Sequence, residues 1–250
     1  MMQARLHVAV YAPALVGDDG RTLVVVHGVE RALPGLRLEW EVDKRGRLIK
    51  LPQRDAWLTE AAARGVFPLL CNGDERYPVT ITGLKTPASQ APGGQPLLDV
   101  HADLPLDAKV IAAASSVLEG VAEGASAFWG HVSPEGYGSE VAQQIRRSPR
   151  GPERSPRGLP MLEPPENISS PEIPHWLGWL NYWSVAAAQA IGFPDPARDV
   201  DLLSRSRRTA TGGWVVQLTD APLDYDNPAH LDALGRVYER FPAIGARSVP

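Results

Sequence analysis

Residues 108–128, AKVIAAASSVLEGVAEGASAF, restrict the possible folds more than any other stretch of the chain. Val110, Ala114, Val117, Val121 and Phe128 recur every three, four or seven positions, the spacing of one face of an α-helix. Ile111, Leu118 and Ala125 broaden that face, leaving Lys109, Glu119 and Glu123 as the main polar positions. A helix this apolar must be covered over much of its girth, and Asp107 stands where an N-cap acceptor is required.

Around this helix the pattern shortens to a period of two. RLHVAVY (5–11) alternates as a first strand. LRLEWEV (36–42) sets Leu36, Leu38, Trp40 and Val42 against Arg37, Glu39 and Glu41, as a half-buried antiparallel strand does. DKRG then turns the chain into RLIKL. VFPLLCN, YPVTITG and PLLDVHADL read as three more strands, although Pro68 and Pro78 argue against full laddering at those points. Asp18 or Asp19 can cap a helix over RTLVVVHGVERAL that Pro34-Gly35 stops. A short helix is expected over 54–64, with Gly65 at its end, and Pro134 is placed to start another that runs to about Arg147.

In HWLGWLNYW (175–183), a helix continuing to 191 would put Trp176, Trp179 and Trp183 on one face, a stripe suited to core packing. DLLSRSR and WVVQL then read as strands joined by a turn near Thr211–Gly213. The final helix, 228–240, has the clearest start: Asn227 as cap and Pro228 at its first position. Leu231, Leu234, Tyr238 and Phe241 line one side of it, and Asp232 and Arg236 stand four apart. Strands and helices mix without a βαβ rhythm, so the expected class is α+β, a mostly antiparallel sheet flanked by helices. Residues 1–147 read as an N-terminal α+β half and 148–174 as a long mobile loop rich in proline and arginine. Residues 175–250 read as a helix–hairpin–helix half packed on the same sheet, as one domain.

Formal net charge is −4, and a nucleic-acid binder would usually carry a basic excess. Cys71 is the sole cysteine, which rules out an intramolecular disulfide and a thiolate-rich metal site. No apolar run is long enough for a spanning helix, and the N-terminus reads as a strand, so a cytoplasmic protein without membrane attachment is expected. No phosphate loop, nucleophile elbow or metal-binding HExxH is present, and no catalytic residue, metal or cofactor is assigned. Two charged clusters are candidates for partner binding. Arg146, Arg147, Arg150, Arg154 and Arg157 face only Glu153 within their stretch, and Asp220, Asp224 and Asp226 precede the last helix near His230. Acids before a helix are also expected simply because they satisfy its free amides and dipole.

Several segments, taken in order, resemble immunity-protein family 52 of bacterial polymorphic toxin systems and its myxobacterial relatives. They are the opening strand ending in VYAP, then FPLLCNGD, then FWGHVSPEGYGSEV, and finally PHWLGWLNYWS with GGWVVQLTDAPLDYDNPAHLDAL. The proline-rich stretch and DKRGRLIKLPQ depart from the family pattern. The resemblance implies a cytoplasmic protein that binds and neutralises a cognate toxin with no chemistry of its own. It also implies a structural task for Gly178, Trp179, Leu180, Tyr182, Asn227, Pro228 and His230, holding a β-hairpin and the final helix against the sheet. Two other readings stand beside it: an enzyme with a cleft between the two halves, or a regulatory protein-binding domain that docks through the arginine-rich loop.

Overall fold

The structure is a computed structural model and describes residues 4–17, 19–146, 148 and 150–247. The N-terminal elements are β1 (Arg5–Pro13), α1 (Arg21–Ala32), β2 (Trp40–Val42), β3 (Leu48–Lys50) and α2 (Arg54–Ala63). They are followed by β4 (Leu70–Cys71), β5 (Thr80–Thr86), β6 (Leu97–Pro105), α3 (Ala108–Ala125), β7 (Trp129–Pro134) and α4 (Tyr137–Gln144). After the proline-rich stretch come β8 (Leu180–Trp183), α5 (Val185–Ile191), α6 (Val200–Ser204), β9 (Ser206–Arg208), β10 (Trp214–Gln217) and α7 (Pro228–Arg240). Among the described residues the strands join one 10-stranded sheet in the order β3-β2-β4-β5-β6-β1-β7-β8-β10-β9, and every ladder is antiparallel. The class is α+β, with strands from both halves of the chain in one sheet.

α3 behaves as its pattern requires. Asp107 accepts the Val110 N–H at 2.8 Å, and the helix stops at Ser126, whose φ of 53° turns the chain before Phe128. Val110, Ala114, Val117, Leu118 and Val121 are fully buried, and the helix lies between α1 and one face of the sheet. Gly28 of α1 and Gly120 of α3 let the two backbones touch, because a Cβ on Gly28 would stand 2.5 Å from the Gly120 carbonyl oxygen. α1 begins at Gly20 with no side-chain cap, although Asp19 accepts the Arg21 N–H at 3.0 Å. Asp18 lies outside the described residues.

The second face of the sheet is covered unevenly. Over β7, β8 and β10 it buries Trp129, Trp183, Phe193, Tyr238 and Phe241 beneath α5 and α7. β6 alternates between buried and partly exposed residues and β5 buries only Ile81, so their second face remains open to solvent.

Five expectations are corrected. The aromatic segment is not one helix. Leu180–Trp183 forms β8, and α5 starts only after Ser184, whose hydroxyl accepts the Ala187 N–H. Trp179 therefore packs with the α3-side core, its Nε1 donating to the Thr219 carbonyl at 2.8 Å, while Trp183 faces the opposite cluster. A segment buried on both faces has no polar side to reveal its period. Gly178 brings the chain against β7, since a Cβ there would lie 2.7 Å from the Val132 carbonyl oxygen. Second, only Trp40–Val42 of LRLEWEV is laddered, because the Leu38 N–H is taken at 2.8 Å by the buried Glu30 carboxylate. Third, VFPLLCN contributes just Leu70–Cys71. Fourth, GHVS belongs to β7, Pro134 ends that strand, and Gly136 with φ 91° turns the chain into α4. Fifth, DLLSRSR divides into α6 and β9, so the C-terminal half is not a simple helix–hairpin–helix. The hairpin itself forms, β9 on β10, with the Gly212 N–H closing on the Thr209 carbonyl.

α7 has the bounds expected of it, with Asn227 accepting the Ala229 N–H at 3.0 Å and Pro228 at its first position. Among the described residues Asp232 and Arg236 do not pair with each other. The proline-rich stretch buries Leu159, Leu162 and Ile168, and Leu162 exchanges backbone hydrogen bonds with Gln144 and Arg146 at 2.7 Å.

Candidate functional site

The open part of the sheet is where polar side chains collect. On β1, β6 and β7 the core-facing parity is apolar, whereas the other parity carries His7, Ala9 and Tyr11, then His101 and Asp103, then His131. Register places His7 opposite Asp103, and it places Ala9 between His101 and His131. The small Ala9 side chain leaves a gap that becomes the floor of a cleft of about 460 Å³. Tyr137, Val141 and Ile145 of the α4 region form one wall and Trp176 another. A larger hollow of about 730 Å³ lies around Glu30 and Arg54, but those charged groups are paired with each other.

The floor contains a hydrogen-bond chain. Asp103 Oδ1 lies 2.9 Å from His7 Nδ1, and His7 Nε2 lies 3.1 Å from His101 Nδ1. The hydrogen bond from His7 holds the Asp103 carboxyl below its ordinary range, so it is an ionised acceptor. His7 must then donate through Nδ1. With neutral rings its Nε2 accepts from His101 Nδ1–H, which leaves His101 Nε2 as a lone-pair acceptor. Burial, reinforced by nearby His7, lowers the His101 pKa to about 4. His131 is 2 % exposed, and burial pushes its pKa well down. Its Nδ1 lies 3.2 Å from Ser133 Oγ, and no hydrogen bond reaches its Nε2 among the described residues. Among the described residues no three His, Cys, Asp or Glu side chains converge to hold a metal ion.

Aromatic rings enclose the same space. Tyr11 stacks on Trp129 with centroids 4.1 Å apart and meets Trp176 edge-on at 5.7 Å, while Tyr137 stands 5.1 Å from His131. The Tyr137 hydroxyl donates to the Leu177 carbonyl at 2.6 Å, which fixes α4 against the segment leading into β8. Trp176, read from sequence as packing, is thus a half-buried wall of the cleft.

The sequence-derived charged candidates lie elsewhere and are mostly paired within the chain. Arg157 joins Glu140 at 2.9 Å and Asp226 at 3.0 Å, bringing the arginine-rich and acidic segments together. Arg146 pairs with Glu163 at 3.4 Å, Arg154 with Glu239 at 3.8 Å, and Asp220 with Arg205 at 3.0 Å. Arg150 is exposed, and Arg147 lies outside the described residues. Asp224 sits between two backbone contacts, accepting from the Asp226 N–H and donating its own N–H to His230 Nδ1 at 3.0 Å. Cys71 is buried. His7, His101 and Asp103 were not singled out by sequence reasoning, although their shared parity on two strands was a usable signal.

The buried histidines also set a pH response. His175 is 2 % exposed, and burial, partly opposed by its contact with the Glu163 carbonyl, lowers its pKa to about 4. A folded pKa below the unfolded value near 6.5 means that this stability is complete above pH 6.5 and is lost as pH falls towards 4. At pH 5 the expected loss from His175 is about 2 kcal/mol, with His131 acting in the same direction. Urea midpoints of the protein and of H175N, compared at pH 7 and pH 5, measure this. An equal pH response in both proteins would show that His175 does not contribute.

No helix of the described residues is long and apolar enough to cross a membrane. The structure is similar to that of Pseudomonas aeruginosa T6SS protein PA0821, with a TM-score of 0.56 at 15% identity, covering 96% of this chain and 73% of that one. At that identity the likeness is one of fold. No curated protein matches the sequence. Residues 17–249 match the family described as a domain of unknown function, DUF5953, and the chain belongs to that family.

Proposed function

We propose that this protein is a non-catalytic binder that neutralises a cognate bacterial toxin, as the resemblance to immunity-protein family 52 implies. The observation that carries the reading is the fold shared across 96% of the chain with a T6SS protein. The charge distribution supports it. A net charge of −4 favours encounter with a basic partner, and Asp220 and Asp226 project with side-chain exposures of 90% and 88%. Their ion pairs with Arg205 and Arg157 stay in water, so a partner's cations can replace them at little cost. Arg146, Arg147 and Arg150 form the second part of the proposed contact surface.

The test is binding to a toxin encoded beside this gene, measured as a function of salt. Changing Asp220, Asp224 and Asp226 together to asparagine is expected to slow association and flatten its salt dependence, with a small effect on dissociation. Association that keeps its rate and salt slope rejects the acidic interface. Absence of any complex with the wild-type protein rejects the neutralising role for that toxin.

A further inference from the structure

The cleft on the open sheet face has a construction that toxin binding through charged loops does not use. Its floor presents acceptors. Asp103 is ionised and orients His7, and in the tautomer in which His7 donates to Asp103 and accepts from His101 the chain of hydrogen bonds ends at His101 Nε2 with a lone pair. Nε2 of the buried His131 also stands without a partner among the described residues, across the gap left by Ala9. The walls are largely aromatic and aliphatic, with Trp176, whose Nε1–H is buried without a partner among the described residues, on one side and Tyr137, Val141 and Ile145 on the other. Arg5 and Glu135 stand at the rim, where the Glu135 N–H meets the Arg5 carbonyl at 2.9 Å.

A planar apolar body between such walls, with a single O–H or N–H pointing at the floor, satisfies both halves of the lining. An anion would face the ionised Asp103 carboxylate, whereas an uncharged donor brings no charge into the cleft. We infer that the cleft is a binding site for an aromatic ring that carries a hydrogen-bond donor, a phenol or an indole, which donates to the histidine floor reached through Asp103, His7 and His101. The ring can belong to a free aromatic amino acid, whose ammonium and carboxylate would meet Glu135 and Arg5, or to a tyrosine or tryptophan side chain of a bound protein. The inference is independent of the acidic toxin-binding surface, because none of its residues belongs to that surface.

Calorimetric titration of the whole chain with N-acetyl-L-tyrosinamide, N-acetyl-L-phenylalaninamide and L-tyrosine tests it. The tyrosine amide is expected to bind about tenfold more tightly than the phenylalanine amide, the difference that one neutral hydrogen bond makes. Tighter binding of L-tyrosine than of its amide assigns the site to a free amino acid, and equal or weaker binding assigns it to a peptide-borne ring. In H101F, which keeps a ring and removes its nitrogens, the preference for the phenol should fall to about onefold. On the wild-type protein, the tyrosine amide should also shift the His101 side-chain nitrogen resonances, a readout that does not need the variant to fold. Absence of saturable binding by either tyrosine probe, equal binding of the phenol and phenyl probes, or an unchanged preference in folded H101F overturns the inference.

Discussion

Replacing Trp183 with alanine is expected to destabilise the protein by about 3–5 kcal/mol, among the largest effects any single truncation can have here. Trp183 is fully buried. Its ring meets Phe193 edge-on with centroids 5.0 Å apart and Phe241 at 5.6 Å, and its backbone lies between Trp129 of β7 and Trp214 of β10. It therefore joins the sheet to α7, near whose end Phe241 lies, and to the segment after α5. Alanine removes the apolar surface and leaves a cavity whose walls are sheet on one side and helix on the other, neither free to collapse. For a chain of this size the loss corresponds to a fall of roughly 6–20 °C in Tm. Urea denaturation with an unchanged slope measures it cleanly. A loss below about 1 kcal/mol would mean that this cluster does not hold α7 on the sheet.

Arg240→Met is expected to cost about 3–5 kcal/mol by a different route. Asp199 is buried, with a side-chain exposure of 0%, and Arg240 grips it through two bonds, Nε to Oδ1 at 2.6 Å and a terminal nitrogen to Oδ2 at 3.0 Å. Asp199 also accepts the Asp195 N–H at 2.7 Å, so the pair ties the end of α7 to the turn that precedes α6. Methionine retains most of the stem packing and removes the charge, which strands a carboxylate in a dry site. The double variant D199N/R240M should recover much of the loss, because the remaining amide can still accept from Asp195. Denaturant midpoints of the two single variants and the double variant form the cycle that measures the coupling. Additive losses would show that the two residues act separately.

Legibility followed how one-sided each segment's environment is. α3 and α7 have polar residues on one side and clear caps, Asp107 and Asn227, so their period and their N-terminal starts could be read directly. β6 buries one face and half-exposes the other, and its alternation survives in PLLDVHADL. HWLGWLNYW failed as a helix because Leu180–Trp183 is buried on both faces, and a run with no wet side fits a period of two or of 3.6 equally well. The charged clusters were visible as runs, but pairing such as Arg157 with Asp226 spans 69 positions and leaves no local trace.

The chain on its own did not determine α6, read as strand, or β8, read as helix, but it did determine the helices α1, α2, α3 and α7 and that a mostly antiparallel sheet would carry them. These follow from local propensity, capping and one-sided burial, all of which act within a few residues. Only the tertiary structure decided that His7, His101 and His131 share one floor, since strand order and register bring together residues up to 124 positions apart. It also decided that this floor stays open, because the covering helices reach across β7, β8 and β10 and leave the second face of β5 and β6 to solvent. Packing of distant elements sets both outcomes, and no short-range pattern encodes which strand will lie beside which.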